Sequence, residues 1–159
     1  MIVTAWRIAK RKHAKAAFTG EGARLFGGRW NNLGTAIIYT AQSQSLAALE
    51  MLVHLDSSEL LGSYVVFEVG IDESLIAQVE LTELPGNWRD DPPPAEVRAI
   101  GDAWVAGGSS AVLRVPSVVI PGENNYLVNP RPEDFQKLKI RNPYHSGSIG
   151  AWHRSAGTL

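Results

Sequence analysis

Three residues in the first third of the chain have the types and spacing to act on an anionic ligand: Arg29, Tyr39 and Glu50. Arg29 lies in GGRWNNLG, a run that holds three glycines and a single cation. A guanidinium presents five N–H donors in a rigid fork that matches a carboxylate or a pyrophosphate. Glycines let backbone turn tightly or approach a ligand closely. Tyr39, near the end of TAIIYT, offers a flat face with a polar tip. Glu50 falls in AQSQSLAALEMLVHL, four residues after Leu46, on the stripe that Leu46, Leu49 and Val53 predict as buried. A carboxylate there is desolvated unless a partner offsets the cost, and a dehydrated negative charge stabilises a developing cation. An ion pair between Glu50 and Arg29, serving structure alone, is the plainer alternative.

Other chemistries lack their residues. The chain has no GxSxG elbow, no P-loop and no HExxH, and the glycines of GEGARLFGG are wrongly spaced for a dinucleotide loop. Glu50 and His54 sit at i and i+4, but no third ligand follows, so no metal is expected. The absence of cysteine excludes a thiol nucleophile and a disulfide framework and suits a cytoplasmic location. No apolar run approaches the roughly 20 residues of a membrane span, and Met1 leads straight into a strand-like segment rather than a signal peptide. A net charge of -1 argues against direct nucleic-acid binding. Yet residues 1–58 hold seven Lys/Arg against three Asp/Glu, a bias that fits a compact anionic ligand. The Lys10–Lys15 run reads as a solvated turn or helix face.

The elements that must position these residues follow from periodicity. Strands are predicted at Ile2–Ile8, Thr35–Thr40, Tyr64–Asp72, Leu75–Leu81, Ala111–Val115, Val118–Ile120, Asn124–Asn129 and Phe135–Ile140, with a hairpin near Asp72–Ser74. Residues 20–34 read as a long loop. One helix starts behind Ser43 as N-cap, and another spans Ala95–Ala106 between PPP and Gly107-Gly108. Short strands with two helices predict a single α+β domain over residues 1–141, followed by a polar tail over 142–159.

These segments also carry a family likeness. GEGARLFGGRWN, GTAIIYTAQSQSLAALEMLVH and NWRDDPPPAEVRAIGDAWVAGGSSAVLRVPSVVIPGENNYLVNP together resemble the RES-domain toxins of bacterial toxin–antitoxin modules, a family named for an arginine, a glutamate and a serine. The likeness runs from about Trp6 to Ile140. It implies a split, twisted sheet of the diphtheria-toxin-like ADP-ribosyltransferase type with a few flanking helices, and NAD+ as substrate. On matching positions Arg29, Glu50 and Ser117 of VPSVV are the family's arginine, glutamate and serine. Tyr39 resembles the aromatic that lies along nicotinamide, Arg7 a further cleft arginine, and Gly28 part of the loop around the ligand. The chain departs from an NPxH pattern at Asn129-Pro130-Arg131-Pro132.

The resemblance implies a type II toxin that cleaves the nicotinamide–ribose bond, passes ADP-ribose to an acceptor and arrests growth. Water, phosphate or a protein such as phosphoribosyl-pyrophosphate synthetase could each accept it. A cognate Xre-like antitoxin is the implied partner. A non-catalytic module or an RNA-targeting toxin is the alternative.

Overall fold

The computed structural model describes residues 1–54 and 63–145. Its strands are β1 (Ile2–Lys10), β2 (Ile38–Ala41), β3 (Tyr64–Asp72), β4 (Ile76–Gln78), β5 (Val112–Pro116), β6 (Asn124–Val128), β7 (Lys139–Ile140) and β8 (Tyr144–His145). Three α-helices accompany them: α1 (Glu21–Phe26), α2 (Gln44–His54) and α3 (Ala95–Gly107). All strands belong to one sheet, ordered β4-β5-β6-β2-β1-β3-β7, with β8 also on β3. This is the expected α+β architecture. β8 lies inside the stretch expected as a tail, and residues 146–159 of that stretch fall outside the described residues.

The sheet divides at β1/β2. β1 pairs with β3 along nine positions, and β2 pairs with β6 along four, but β1 and β2 share only Trp6↔Ala41. That seam splits the sheet into two halves. The side chain of Arg7 bridges it, its Nη1 donating to the Tyr39 carbonyl at 2.9 Å. A guanidinium thus supplies a cross-strand bond where the ladder stops.

The sheet also curls. β3 and β4 lie five strand positions apart, which in a flat sheet would be about 24 Å. Only the 3-10 turn Glu73–Leu75 joins them, with a reach of about 14 Å. The two ends of the order must therefore converge, and Val69, Ile71, Leu75 and Val112 close into one cluster there. This corrects the hairpin expectation. Residues 75–81 do not turn back on β3; β4 pairs in parallel with β5 at the opposite edge.

Several local expectations change for similar reasons. The predicted loop 20–34 contains α1, begun behind Gly20 in the left-handed region (φ 75°). Val118–Ile120 is a bend rather than a strand, and Phe135–Lys137 lies in a 3-10 turn. Arg11–Ala16 is also a 3-10 turn with no buried residue, the solvated turn expected of the basic run. α3 begins after Pro94, Val97 and Trp104 are buried, and Gly108 ends it in the left-handed region.

Helix α2 starts where expected, with Ser43 Oγ accepting the Leu46 amide at 3.0 Å. Its buried face differs from the predicted stripe. Leu46 is buried, but Leu49 and Val53 are 40% and 59% exposed. Leu46 and Ala47 instead meet Trp6, Ile8 and Ala41, so the helix lies over the seam. Glu50 follows Leu46 by four residues and points the same way.

Candidate active site

A cavity of about 920 Å³ opens at the seam, within the range of clefts that take cofactor-sized ligands. Arg7, Gly28, Arg29, Tyr39 and Glu50 line it together with Trp6, Met51, His54, Arg98 and Asn125. Five of the six residues singled out from sequence meet in one cavity. Ser117 stands behind the wall, and its neighbours Val118 and Val119 reach the surface.

The arginine loop is a tight turn. Gly28 N donates to Asn31 O at 3.1 Å and Gly28 O accepts the Asn31 amide at 3.4 Å, leaving Arg29 and Trp30 at the tip. Trp30 is 2% exposed and packs with Val97, Trp104 and Leu127, so the turn is pinned by its own apolar residue. Gly28 is required sterically: a Cβ there would lie 2.6 Å from Tyr39 Oη and 2.8 Å from Asn31 Oδ1. Those atoms are themselves bonded, Tyr39 Oη donating to Asn31 Oδ1 at 2.6 Å and accepting the Trp30 amide at 3.0 Å. Fully buried Asn31 gives its Nδ2 to the carbonyls of Ala23, Asn32 and Thr35. Tyr39 is therefore an anchor for the loop as well as a cavity wall, and burial raises its phenol above the ordinary range.

Arg29 Nη1 donates to the carbonyls of Trp88 and Asp90, both at 3.0 Å. Two of its five donors hold the 88–90 segment, and three remain for the cavity. No ion pair joins Arg29 to Glu50 among the described residues, which removes the purely structural pairing raised from sequence. Arg7 lies deeper. Its Nε donates to Ala17 O at 2.7 Å, and burial lowers its pKa to about 10, so it stays cationic at neutral pH. Among the described residues both guanidiniums bond to backbone carbonyls and neither forms an ion pair, although Glu50 and Asp91 line the same cleft.

Glu50 lies on the same cavity from α2. Asn125 Nδ2 donates to its Oε2 at 2.8 Å, and Ser117 Oγ stands 3.4 Å from its Oε1. Burial raises its pKa, the two hydrogen bonds oppose that rise, and the charge of Glu123 adds to it. Ser117 is 2% exposed, and its Oγ also accepts the amides of Val119 and Ile120 at 3.1 and 3.2 Å. It acts as a turn cap that backs the carboxylate. Arg131, at the departure from NPxH, is exposed and does not line the cavity. Among the described residues, no cluster of three His, Asp or Glu could hold a metal.

The family model for the RES domain matches residues 4–148. The chain belongs to the RES-domain family. This RES domain is 45% identical over 131 residues to a Yersinia enterocolitica protein named Toxin Res, covering 82% of this chain and 86% of that one. It is 38% identical over 147 residues to a Sphingobium protein named Prs ADP-ribosylating toxin, covering 89% and 91%. In fold it matches the Mycobacterium tuberculosis MbcT–MbcA toxin–antitoxin complex with a TM-score of 0.74 at 20% identity, over 98% of this chain and 88% of that one.

Reasoning from sequence missed residues that build this RES site. Asn125 lay in the predicted strand Asn124–Asn129 and Asn31 in the predicted loop 20–34, and neither was singled out, although an asparagine inside a strand is itself a flag for an inward polar contact. Gly101 carried a stronger signal, because a glycine in mid-helix is costly unless another backbone approaches. Here one does. Asp102 beside it takes the Asn32 amide at 3.0 Å and Asn32 Nδ2 at 2.7 Å, tying the arginine loop to α3.

Proposed function

We propose that this RES domain is an NAD+-consuming toxin that breaks the nicotinamide–ribose bond and transfers ADP-ribose to an acceptor. The observation that carries the reading is Glu50: a half-buried carboxylate on a cavity that three arginines, Arg7, Arg29 and Arg98, also line, with exposed Asp91 as its other carboxylate. NAD+ has the complementary layout, with a pyrophosphate to meet arginine and a ribose that becomes cationic. The bond from ribose C1′ to the pyridinium nitrogen breaks, and its electron pair neutralises the departing nicotinamide. The oxocarbenium-like ribose is stabilised by the Glu50 carboxylate, which also accepts from a ribose hydroxyl. The acceptor then adds to C1′ and loses its proton.

Arg29 and Arg7 clamp the pyrophosphate, Tyr39 lies along the nicotinamide, Gly28 lets the loop approach, and Ser117 steadies Glu50. No relay of histidine and acid stands beside Ser117 among the described residues, so it serves as a hydrogen-bond partner and not as a nucleophile. The name of the Sphingobium relative supports ADP-ribosylation as the reaction class. A cognate antitoxin, Xre-like in the manner of the family, restrains the enzyme in the cytoplasm.

The test is direct. Purified protein is incubated with NAD+, with and without phosphate and lysate, and the product is weighed. Free ADP-ribose identifies water as acceptor, ADP-ribose phosphate identifies phosphate, and a protein adduct identifies a transferase. Intact NAD+ under all conditions, with folded protein, overturns the reading.

A further inference from the structure

Asn125 occupies β6 opposite Ala41 of β2, beside the seam, is 7% exposed and lines the cavity. Its Nδ2 lies 2.8 Å from Glu50 Oε2 and 3.1 Å from the Thr40 carbonyl. Both neighbours are acceptors, so the amide can face only one way and its two N–H groups are both used. Thr40 cannot drift, since its own Oγ1 is bonded to Tyr126 O at 2.7 Å in buried surroundings.

We infer that Asn125 is the positioning residue for the Glu50 carboxylate, clamping its Oε2 to the β2 backbone and so fixing how the carboxylate meets the substrate. The inference rests on the NAD+-cleaving reading for its consequence in turnover, but not for the clamp itself. The other oxygen, Oε1, has the weaker contact, 3.4 Å from Ser117 Oγ, so the Asn125 bond is the tighter of the two restraints. A strand-borne amide fixed at two points holds a helix-borne carboxylate more rigidly than the helix alone could, and such preorganisation gives a charge its catalytic effect.

The experiment uses the full chain with Asn125→Ala and the isosteric Asn125→Asp. The other titratable and charged groups around Glu50 are unchanged in both: Glu123 before β6, and, on the same cavity, His54 of α2, Arg7 of β1, Arg29 of the loop, Asp91, and Arg98 of α3. Carbon-13 NMR of the Glu50 carboxyl gives its titration midpoint, and NAD+ consumption is followed against pH. For Asn125→Ala the midpoint rises by about one pH unit, because a bond favouring the ionised form is lost. The acid limb of the rate profile moves with it, and kcat falls about tenfold while KM stays within about twofold.

Asn125→Asp behaves differently. While protonated, the introduced carboxyl still donates to Glu50, so activity survives at intermediate pH and fails at higher pH, where both carboxylates ionise. A folded Asn125→Ala protein with an unaltered Glu50 midpoint overturns the inference. Should that variant not fold, an Asn125→Asp profile without a new alkaline fall overturns it instead. Wild-type protein that leaves NAD+ intact while the midpoints shift as described would sink the NAD+ reading and keep the clamp.

Discussion

A Cβ at position 101 would lie 1.8 Å from the carbonyl oxygen of Trp30. Helix α3 and the arginine turn are thus in backbone contact, and the glycine is what allows it. Trp30 sits one residue from Arg29, so this contact sets how far the guanidinium reaches into the cavity. Gly101→Ala should push the turn off the helix, lower stability by about 1–3 kcal/mol and reduce turnover by more than the unfolded fraction explains. Thermal melts alongside single-temperature kinetics check this. Wild-type values for both would show that the contact is dispensable.

Glu50→Gln keeps the shape of the side chain and removes its charge. NAD+ turnover should fall about 10²–10³-fold, the usual effect of losing one preorganised electrostatic partner. The fold should persist, which circular dichroism can verify.

The same residue makes stability depend on pH. Burial raises the folded-state pKa of Glu50 above its ordinary 4.5, so the folded protein binds this proton more tightly than the unfolded chain. The associated stability is fully present below the unfolded value and is lost as pH rises through the folded value. Glu50→Gln should therefore be more stable relative to wild type above that window than below it. Urea melts at a series of pH values would reveal the difference, and parallel curves would contradict it.

Ser117→Ala strips the acceptor from the amides of Val119 and Ile120 and the second donor from Glu50. A loss of about 1–3 kcal/mol is expected from the two orphaned amides. The acid limb of activity should move upward, but less than in Asn125→Ala, because the Ser117 contact is longer, 3.4 Å against 2.8 Å. The pH profiles of the two variants, compared directly, decide the ranking.

Arg29→Lys retains a charge but cannot span two carbonyls and still offer a fork to the ligand. KM for NAD+ should rise about tenfold, or about 1.4 kcal/mol, with a smaller change in kcat. An unchanged KM would place the pyrophosphate elsewhere.

What the sequence determined by itself is the set of features that depend on neighbours a few residues apart. Ser43 capping a helix, Gly108 ending another, and the glycine turn around Arg29 are all i to i+4 affairs, as is the coincidence of Glu50 with the face that carries Leu46. Residue type and spacing also singled out Arg29, Tyr39 and Glu50, and the likeness to the RES family added Arg7, Gly28 and Ser117, again as a linear pattern. Tertiary structure decided everything that required two distant segments to meet. It set β4 against β5 instead of β3, turned Leu49 and Val53 outward, and opened the β1/β2 seam that Arg7 spans. It also gave Arg29 to the carbonyls of Trp88 and Asp90, and Glu50 to Asn125. Periodicity reports which face of an element is apolar, but not what arrives to cover it. Strand order and carboxylate partners are fixed by long-range packing, and that free energy is not written in any short window.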